Sequence, residues 1–119
     1  MILEDIQQKL EQIDSKVFYG KVDEKAISED WNYIVFMRKR LSFDAQKNSF
    51  SDRFVIAVIR ENFIPDGLEN DIIEAMRTIP GVKLSSTDGE YNYVQKPNTN
   101  TVIEILTLEF VRARKRVGA

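Results

Sequence analysis

Residues 53–62 read RFVIAVIREN, and positions 54–59 hold six apolar side chains in succession. A strand with one solvated face alternates apolar and polar residues. An unbroken apolar run is instead typical of a strand covered on both faces, or of a buried helix. The run therefore raises the question of what covers both of its faces in a chain of only 119 residues.

The residues before this run predict one helix, one short extended segment and one long strand. Apolar residues recur at three- and four-residue spacing from Leu3 onward, which predicts an amphipathic helix over residues 3–16. After a short extended segment (VFYGKV) and a polar, acidic connector at residues 23–30, WNYIVFMRKR at residues 31–40 has the aromatic and β-branched density of a strand. This strand and residues 53–62 predict a long β-hairpin.

The tip of this hairpin, residues 41–52 (LSFDAQKNSFSD), is predicted to be a long loop or mobile arm. A solvent-exposed loop with no binding role would not be expected to carry three large apolar side chains, and this segment has Leu41, Phe43 and Phe50. We expect them to be anchors that become ordered on meeting a partner, guided by the basic RKR toward an acidic stretch such as residues 23–30 of a neighbouring copy. The alternative is that Phe43 and Phe50 pack on their own sheet.

A second helix and a closing strand follow the hairpin. Asp66 is predicted to cap the helix, with Glu69 completing a capping box, and Pro80–Gly81 to end it. The apolar face of this helix is Leu68, Ile72, Ala75, Met76 and Ile79. Asp88–Gly89 signals a turn between two short strands, and residues 101–114 form a long β-rich run.

These elements predict a single α+β domain over residues 1–119, in the order α-β-β-β-α-β-β-β, with a mostly antiparallel sheet. The N-terminal helix takes residues 1–16, and the sheet and second helix take residues 31–114. Either the two helices lie on opposite faces of the sheet, or a partner outside the chain covers the second face. The predicted core is Leu10, Ile13, Val35, Phe54, Ile56, Val58, Ile72, Met76, Ile105 and Leu108.

The amino-acid composition limits the kinds of catalytic and metal-binding site that this chain can form. The chain has no Cys and no His, which excludes disulfides, thiol nucleophiles, Cys-type zinc sites and imidazole catalysis. No phosphate-binding glycine loop is present, and no Asp-x-Lys or Glu-x-Lys follows Pro65–Asp66 as a metal-dependent nuclease would require. We therefore predict no catalytic, cofactor-binding or metal-binding residues, and a protein that is not an enzyme.

Charge and hydropathy bear on location and partners. The formal net charge of −2 makes non-specific nucleic-acid binding a poor candidate function. No apolar run approaches the roughly 20 residues that span a bilayer, and Glu4 and Asp5 stand where a signal peptide would be basic. We expect a protein made in the cytoplasm, with no membrane partner.

Two basic clusters, RKR at residues 38–40 and RARKR at residues 112–116, are either solvated or form a cationic strip for an acidic partner. Glu104 and Glu109 are expected to face solvent or a partner, on opposite faces of the last strand rather than as a catalytic pair. The candidate partner-binding residues are Arg38, Lys39, Arg40, Leu41, Phe43, Phe50, Arg112 and Arg114.

The succession of a leading helix, an aromatic strand, a long hairpin, PDGLENDIIEAMRTIPGVKL, DGEYNY and TNTVIEILTLEFVRARK resembles the small tail-completion, or tail-terminator, proteins of long-tailed bacteriophages. In that family, a helix ending near an I-x-G step precedes a short strand pair with a Tyr and a closing strand rich in Val, Glu, Leu and Phe. The matching residues are Ile79, Gly81, Tyr91 and Tyr93, and then Val102, Glu104, Leu108 and Phe110.

The resemblance implies a structural role in the virion, as a minor tail protein. Such proteins form a ring, usually hexameric, that caps the tail tube, stops its polymerisation and offers a joining surface to the head connector. It implies self-association, with the tail tube protein and the head connector protein as partners, and no cofactor. A head-closure or neck connector protein, and a cellular α+β module that binds a regulatory ligand, remain as alternatives.

Overall fold

The run at residues 53–62 lies in the central strand of a mixed sheet. The computed structural model describes residues 1–85 and 88–115, and within them it contains two helices and six strands. In chain order these are α1 (Ile2–Glu11), β1 (Val17–Tyr19), β2 (Tyr33–Asp44), β3 (Ser49–Glu61), α2 (Leu68–Arg77), β4 (Val82–Leu84), β5 (Glu90–Gln95) and β6 (Val102–Lys115). The predicted α+β class and element order are confirmed.

The sheet is antiparallel apart from its first pair. Strand β3 lies between β2 and β6 and is antiparallel to both, while β1 adds to the outer edge of β2 in parallel. Strands β4 and β5 both pair with the other edge of β6. Because β3 is flanked along its whole length, its backbone donors and acceptors are used within the sheet.

The two faces of β3 are covered by different parts of the chain. Phe54, Ile56 and Val58 face a core built by both helices, which contact each other on this one side of the sheet. Alternate residues point to the opposite face, where Ala57 and Ile59 pack with Ile27 of the connector. The connector segment, not the second helix or a partner, therefore covers this part of the second face.

The core prediction is correct at eight of ten positions. Ile13 and Ile105 are only partly buried against the two core clusters. Helix α1 ends at Glu11, not at residue 16. Beyond the helix, the Asp14 side chain accepts a hydrogen bond from the Lys16 backbone N–H and forms an ion pair with Arg60 at 2.7 Å, and these contacts hold the turn that leads into β1.

The predicted cap of α2 is wrong by one residue. Gly67 is the N-cap, with a φ of 95° that a glycine adopts readily, and it is the Gly67 N–H that donates to the Glu69 carboxylate. Asp66 makes no capping contact with this helix. Neither helix in the described part of the chain is long and apolar enough to cross a membrane.

Strands β4 and β5 do not form a hairpin around Asp88–Gly89. Both run antiparallel to β6 and lie one after the other along its outer edge, as a single edge strand with an interruption. A Cβ at Gly89 would lie 3.0 Å from a Leu108 side-chain carbon and 3.1 Å from one of Leu106. Glycine therefore lets the chain pass close to β6 as it rejoins the sheet.

Candidate interaction surface

The predicted partner-binding residues converge on one end of the sheet. Strands β2 and β3 continue to Asp44 and from Ser49, so the predicted long loop is wrong and only residues 45–48 form the turn. The register places Phe50 beside both Phe43 and Arg114. We call residues 38–53 together with 111–114 the hairpin end.

The helix-side face of the hairpin end carries exposed apolar side chains. No residue between positions 38 and 52 belongs to either described core cluster. The Phe43 and Phe50 rings meet edge to face, 5.2 Å apart, and the Arg114 guanidinium lies 4.8 Å from the centre of the Phe50 ring. Phe50 is half-buried by these contacts, whereas Phe43 remains 69% exposed and Leu41 45% exposed. The alternative prediction is that both rings pack on their own sheet. Phe50 does so in part, whereas Phe43 does not.

A cavity of about 310 Å³ beside these residues has a strongly basic lining. The described residues around it include six basic residues and one acidic residue, Asp52, but Lys39 and Arg53 direct their side chains to Glu109 on the opposite face. Asp52 accepts hydrogen bonds from Arg112 at 3.1 Å and Arg114 at 2.8 Å. Burial raises the pKa of Asp52, but the bonds from Arg114 and Arg112 outweigh it and hold the pKa below its usual value.

A second carboxylate, that of Glu109, pairs with cations on the opposite face of the hairpin end. Lys39 lies at an irregularity in the β2–β3 register and contacts Glu109 at 2.9 Å, with Arg53 3.5 Å from the same carboxyl group. The hydrogen bond from Lys39 lowers the pKa of Glu109. Glu109 is partly exposed, as a solvent-facing residue would be, and it also holds two cations of its own chain.

The basic candidates are thus not equivalent. Lys39, Arg112 and Arg114 each have a carboxylate partner in their own chain. Arg38 and Arg40 are exposed and have no ion pair among the residues that the structure describes. Arg116, the last arginine of the RARKR cluster, lies outside the described residues. Arg38 and Arg40 are the cations with most charge to offer a partner.

Sequence reasoning missed a groove between α2 and β5, which we call the α2–β5 groove. It has a volume of about 230 Å³ and is lined by Glu69, Ile73, Leu84, Asp88, Gly89, Tyr91, Leu106 and Leu108. The alternation of EYNYV could have indicated it, since Tyr91 and Tyr93 share a side of an exposed edge strand.

Glu104 stands beside this edge strand and is also engaged within the chain. Its carboxylate accepts hydrogen bonds from the Tyr93 hydroxyl at 2.8 Å and from the Ile64 backbone N–H at 2.7 Å. The bond to Glu104 raises the pKa of Tyr93. Glu104 is thus partly exposed and at the same time holds β5 and the segment before α2 against β6.

Within residues 1–85 and 88–115, no cluster of three or more acidic side chains is placed to hold a metal ion. No protein-family model matches the chain, and a search of curated proteins finds no match. The arrangement that stands out is a pair of surfaces: a basic, partly apolar hairpin end and an apolar groove whose charged lining residues are acidic.

Proposed function

We propose that this chain is a structural protein of virion assembly in a long-tailed bacteriophage, acting as a ring-forming tail terminator. In this role the ring caps the tail tube, stops its polymerisation and presents a surface for joining to the head. The observation that supports the proposal best is the hairpin end, where exposed apolar side chains are surrounded by cations.

The chemistry of the hairpin end suits a protein partner. Aromatic residues and arginine are enriched in the centres of protein interfaces and supply much of their binding energy. Phe43 can lose most of its exposed area on contact. Arg38 on the same face, and Arg40 on the other face of the hairpin end, would select an acidic partner surface and speed the encounter.

The shape of the chain suits a ring subunit. It measures 54 by 28 by 22 Å, with the hairpin end at the far end of β2, β3 and β6. A contact between two different surfaces of identical subunits generates a closed ring when the rotation closes. The tail tube protein and the head connector protein are the proposed further partners, and the tail end or neck of the virion is the proposed location.

A head-closure or neck connector protein would use the same kind of surface, so the two assembly roles differ in the partner bound. A regulatory ligand site needs a few convergent polar groups in an apolar pocket. The cavity of the hairpin end is instead lined mainly by cations, which favours an acidic protein surface over a small ligand.

The test is electron microscopy and light scattering of the purified protein over increasing concentration. We expect rings with a central hole, and we expect Phe43→Ser to raise the concentration needed for assembly by about tenfold or more. Phe63→Ser is the matched control, because Phe63 is also 69% exposed but lies outside the hairpin end.

Protein that stays monomeric at every concentration, with and without tail tubes, would contradict the proposal. Rings that bind isolated tail tubes support the terminator role. Rings that bind only the head connector would replace it with the neck role.

A further inference from the structure

We propose that the hairpin end of one copy docks into the α2–β5 groove of a second copy, and that this contact, repeated, builds the ring. The inference rests on the proposed self-assembly and names the two surfaces that meet. It concerns two parts of the same chain that no local sequence pattern connects.

Apolar complementarity is the first argument. The groove has an apolar floor made by Leu106 and Leu108 of β6, with Ile73 of α2 on one side and Tyr91 of β5 on the other. Its volume of about 230 Å³ is below the roughly 300–1,000 Å³ of small-molecule sites. It is suited to one or two side chains from another protein, and the hairpin end offers Phe43 and Leu41.

Charge complementarity is the second argument. Both charged residues in the described lining of the groove, Glu69 and Asp88, are acidic. The hairpin end presents Arg38 on the same face as Leu41 and Phe43, while Arg40 pairs with Arg53 on the other face at its edge. Opposite charges around an apolar contact fix its register and disfavour wrong pairings.

The contact must join different copies. Phe43 lies opposite Phe50, which lies opposite Arg114, whereas the floor of the groove is formed by Leu106 and Leu108. Six residues of strand separate Arg114 from Leu108 along β6, or roughly 20 Å. The Phe43 side chain therefore cannot reach the floor of the groove in its own chain, and a contact between two different surfaces builds a ring when the rotation from one subunit to the next closes.

Two other acidic surfaces fit less well. The connector has exposed acidic residues, but its Ile27 is buried in the second-face core and offers no receptor to Phe43. A groove between α1 and β1 carries Glu4 and Glu11, but four of its seven lining residues are glutamate or glutamine. Only two of the eight described residues that line the α2–β5 groove are charged, and none is an amide.

Charge reversal tests the pairing. One variant carries Arg38→Glu with Arg40→Glu, and the other carries Glu69→Lys with Asp88→Lys. We expect each variant alone to need at least about tenfold more protein for assembly, because like charges then meet across the contact. An equimolar mixture of the two variants should assemble as the unmodified protein does. The acidic hairpin end of the first variant fits the basic groove of the second, and the basic hairpin end of the second fits the acidic groove of the first, so the two variants alternate.

The four changes combined in one chain should also restore assembly. Such a result would show that each double variant fails because like charges meet, and not because it unfolds. Circular dichroism of each variant checks the fold. The controls are Glu24→Lys with Glu29→Lys in the connector and Glu4→Lys with Glu11→Lys on α1, which should neither impair assembly nor rescue the arginine variant.

Rescue of the arginine variant by either control, or full assembly of both test variants, would overturn the inference. Rings of the unmodified protein would then leave the proposed function standing. Absence of assembly by the unmodified protein would contradict the proposed function and this inference together.

Discussion

At the scale of single residues, two carboxylates divide the cations of the hairpin end into two groups. Asp52 holds Arg112 and Arg114 on one face, and Glu109 holds Lys39 on the other. Basic residues that look alike in the sequence therefore differ in their availability to a partner. This division depends on cross-strand register, which a count of charges in the sequence does not contain.

Asp52→Asn tests how much the ion pairs of Asp52 with Arg112 and Arg114 contribute to the unfolding free energy. Because the pKa of Asp52 is lowered in the folded chain, its stabilising contribution is present above the usual carboxyl value of 3.8 and is lost as the pH falls through the lower folded value. We expect the variant to lose about 1 kcal/mol of unfolding free energy near pH 7, since the pair is partly exposed. As the pH falls from 3.8 toward 2, the difference between the two proteins should shrink.

Urea unfolding at the two pH values measures this difference. Glu24→Gln is the control, since Glu24 is exposed in the connector and has no ion pair among the described residues, and it should change stability little at either pH. A loss of the same size at both pH values would mean that Asp52 acts by packing rather than by its charge.

At the scale of elements, apolar periodicity and β-rich runs predicted both helices and the three long strands. What the sequence did not predict depended on contacts between distant residues. The hairpin tip was taken for a loop because Ser, Asp and Asn obscured the alternation of Leu41 and Phe43 with polar residues, a pattern that fits one face of a strand. The α2–β5 groove was missed because α2, β4, β5 and β6 each contribute part of it.

The packing of the connector on β3 is another contact between distant residues that the sequence did not predict. Its contribution to stability can be measured. Ile56 is fully buried under the helices, so Ile56→Ala should cost about 2–5 kcal/mol of unfolding free energy. Ile27 is 7% exposed on the second face, where a surface segment can relax, and Ile27→Ala should cost about 1–3 kcal/mol.

Chemical denaturation compares these two variants with Val94→Ala, a control on the exposed edge strand β5 that should cost less than about 0.5 kcal/mol. If Ile27→Ala has no more effect than Val94→Ala, the connector does not cover the second face, and a partner becomes the better explanation for the apolar run.

At the scale of the whole molecule, the core and the hairpin end share the same strands. Both helices pack over Phe54, Ile56 and Val58, while β2, β3 and β6 continue past them without helical cover. Residues 49–52 of β3 lie between β2 and β6, so the backbone of the hairpin end forms its hydrogen bonds within the chain. This arrangement favours an end that is ordered before any partner arrives.

Hydrogen exchange on the monomer and on the assembled ring tests this order. We expect the amides of residues 49–52 to exchange at least roughly tenfold more slowly than those of the turn at residues 45–48 already in the monomer, because interior strand amides open only with the sheet. Assembly should then bury side chains such as Phe43 while changing the exchange rates of the strand amides little.

The mobile arm would be supported instead if the amides of residues 43–50 exchange at the rate of an unstructured peptide in the monomer and are protected only in the ring. In that case the contact would carry an ordering cost, and rigidifying the turn should strengthen assembly.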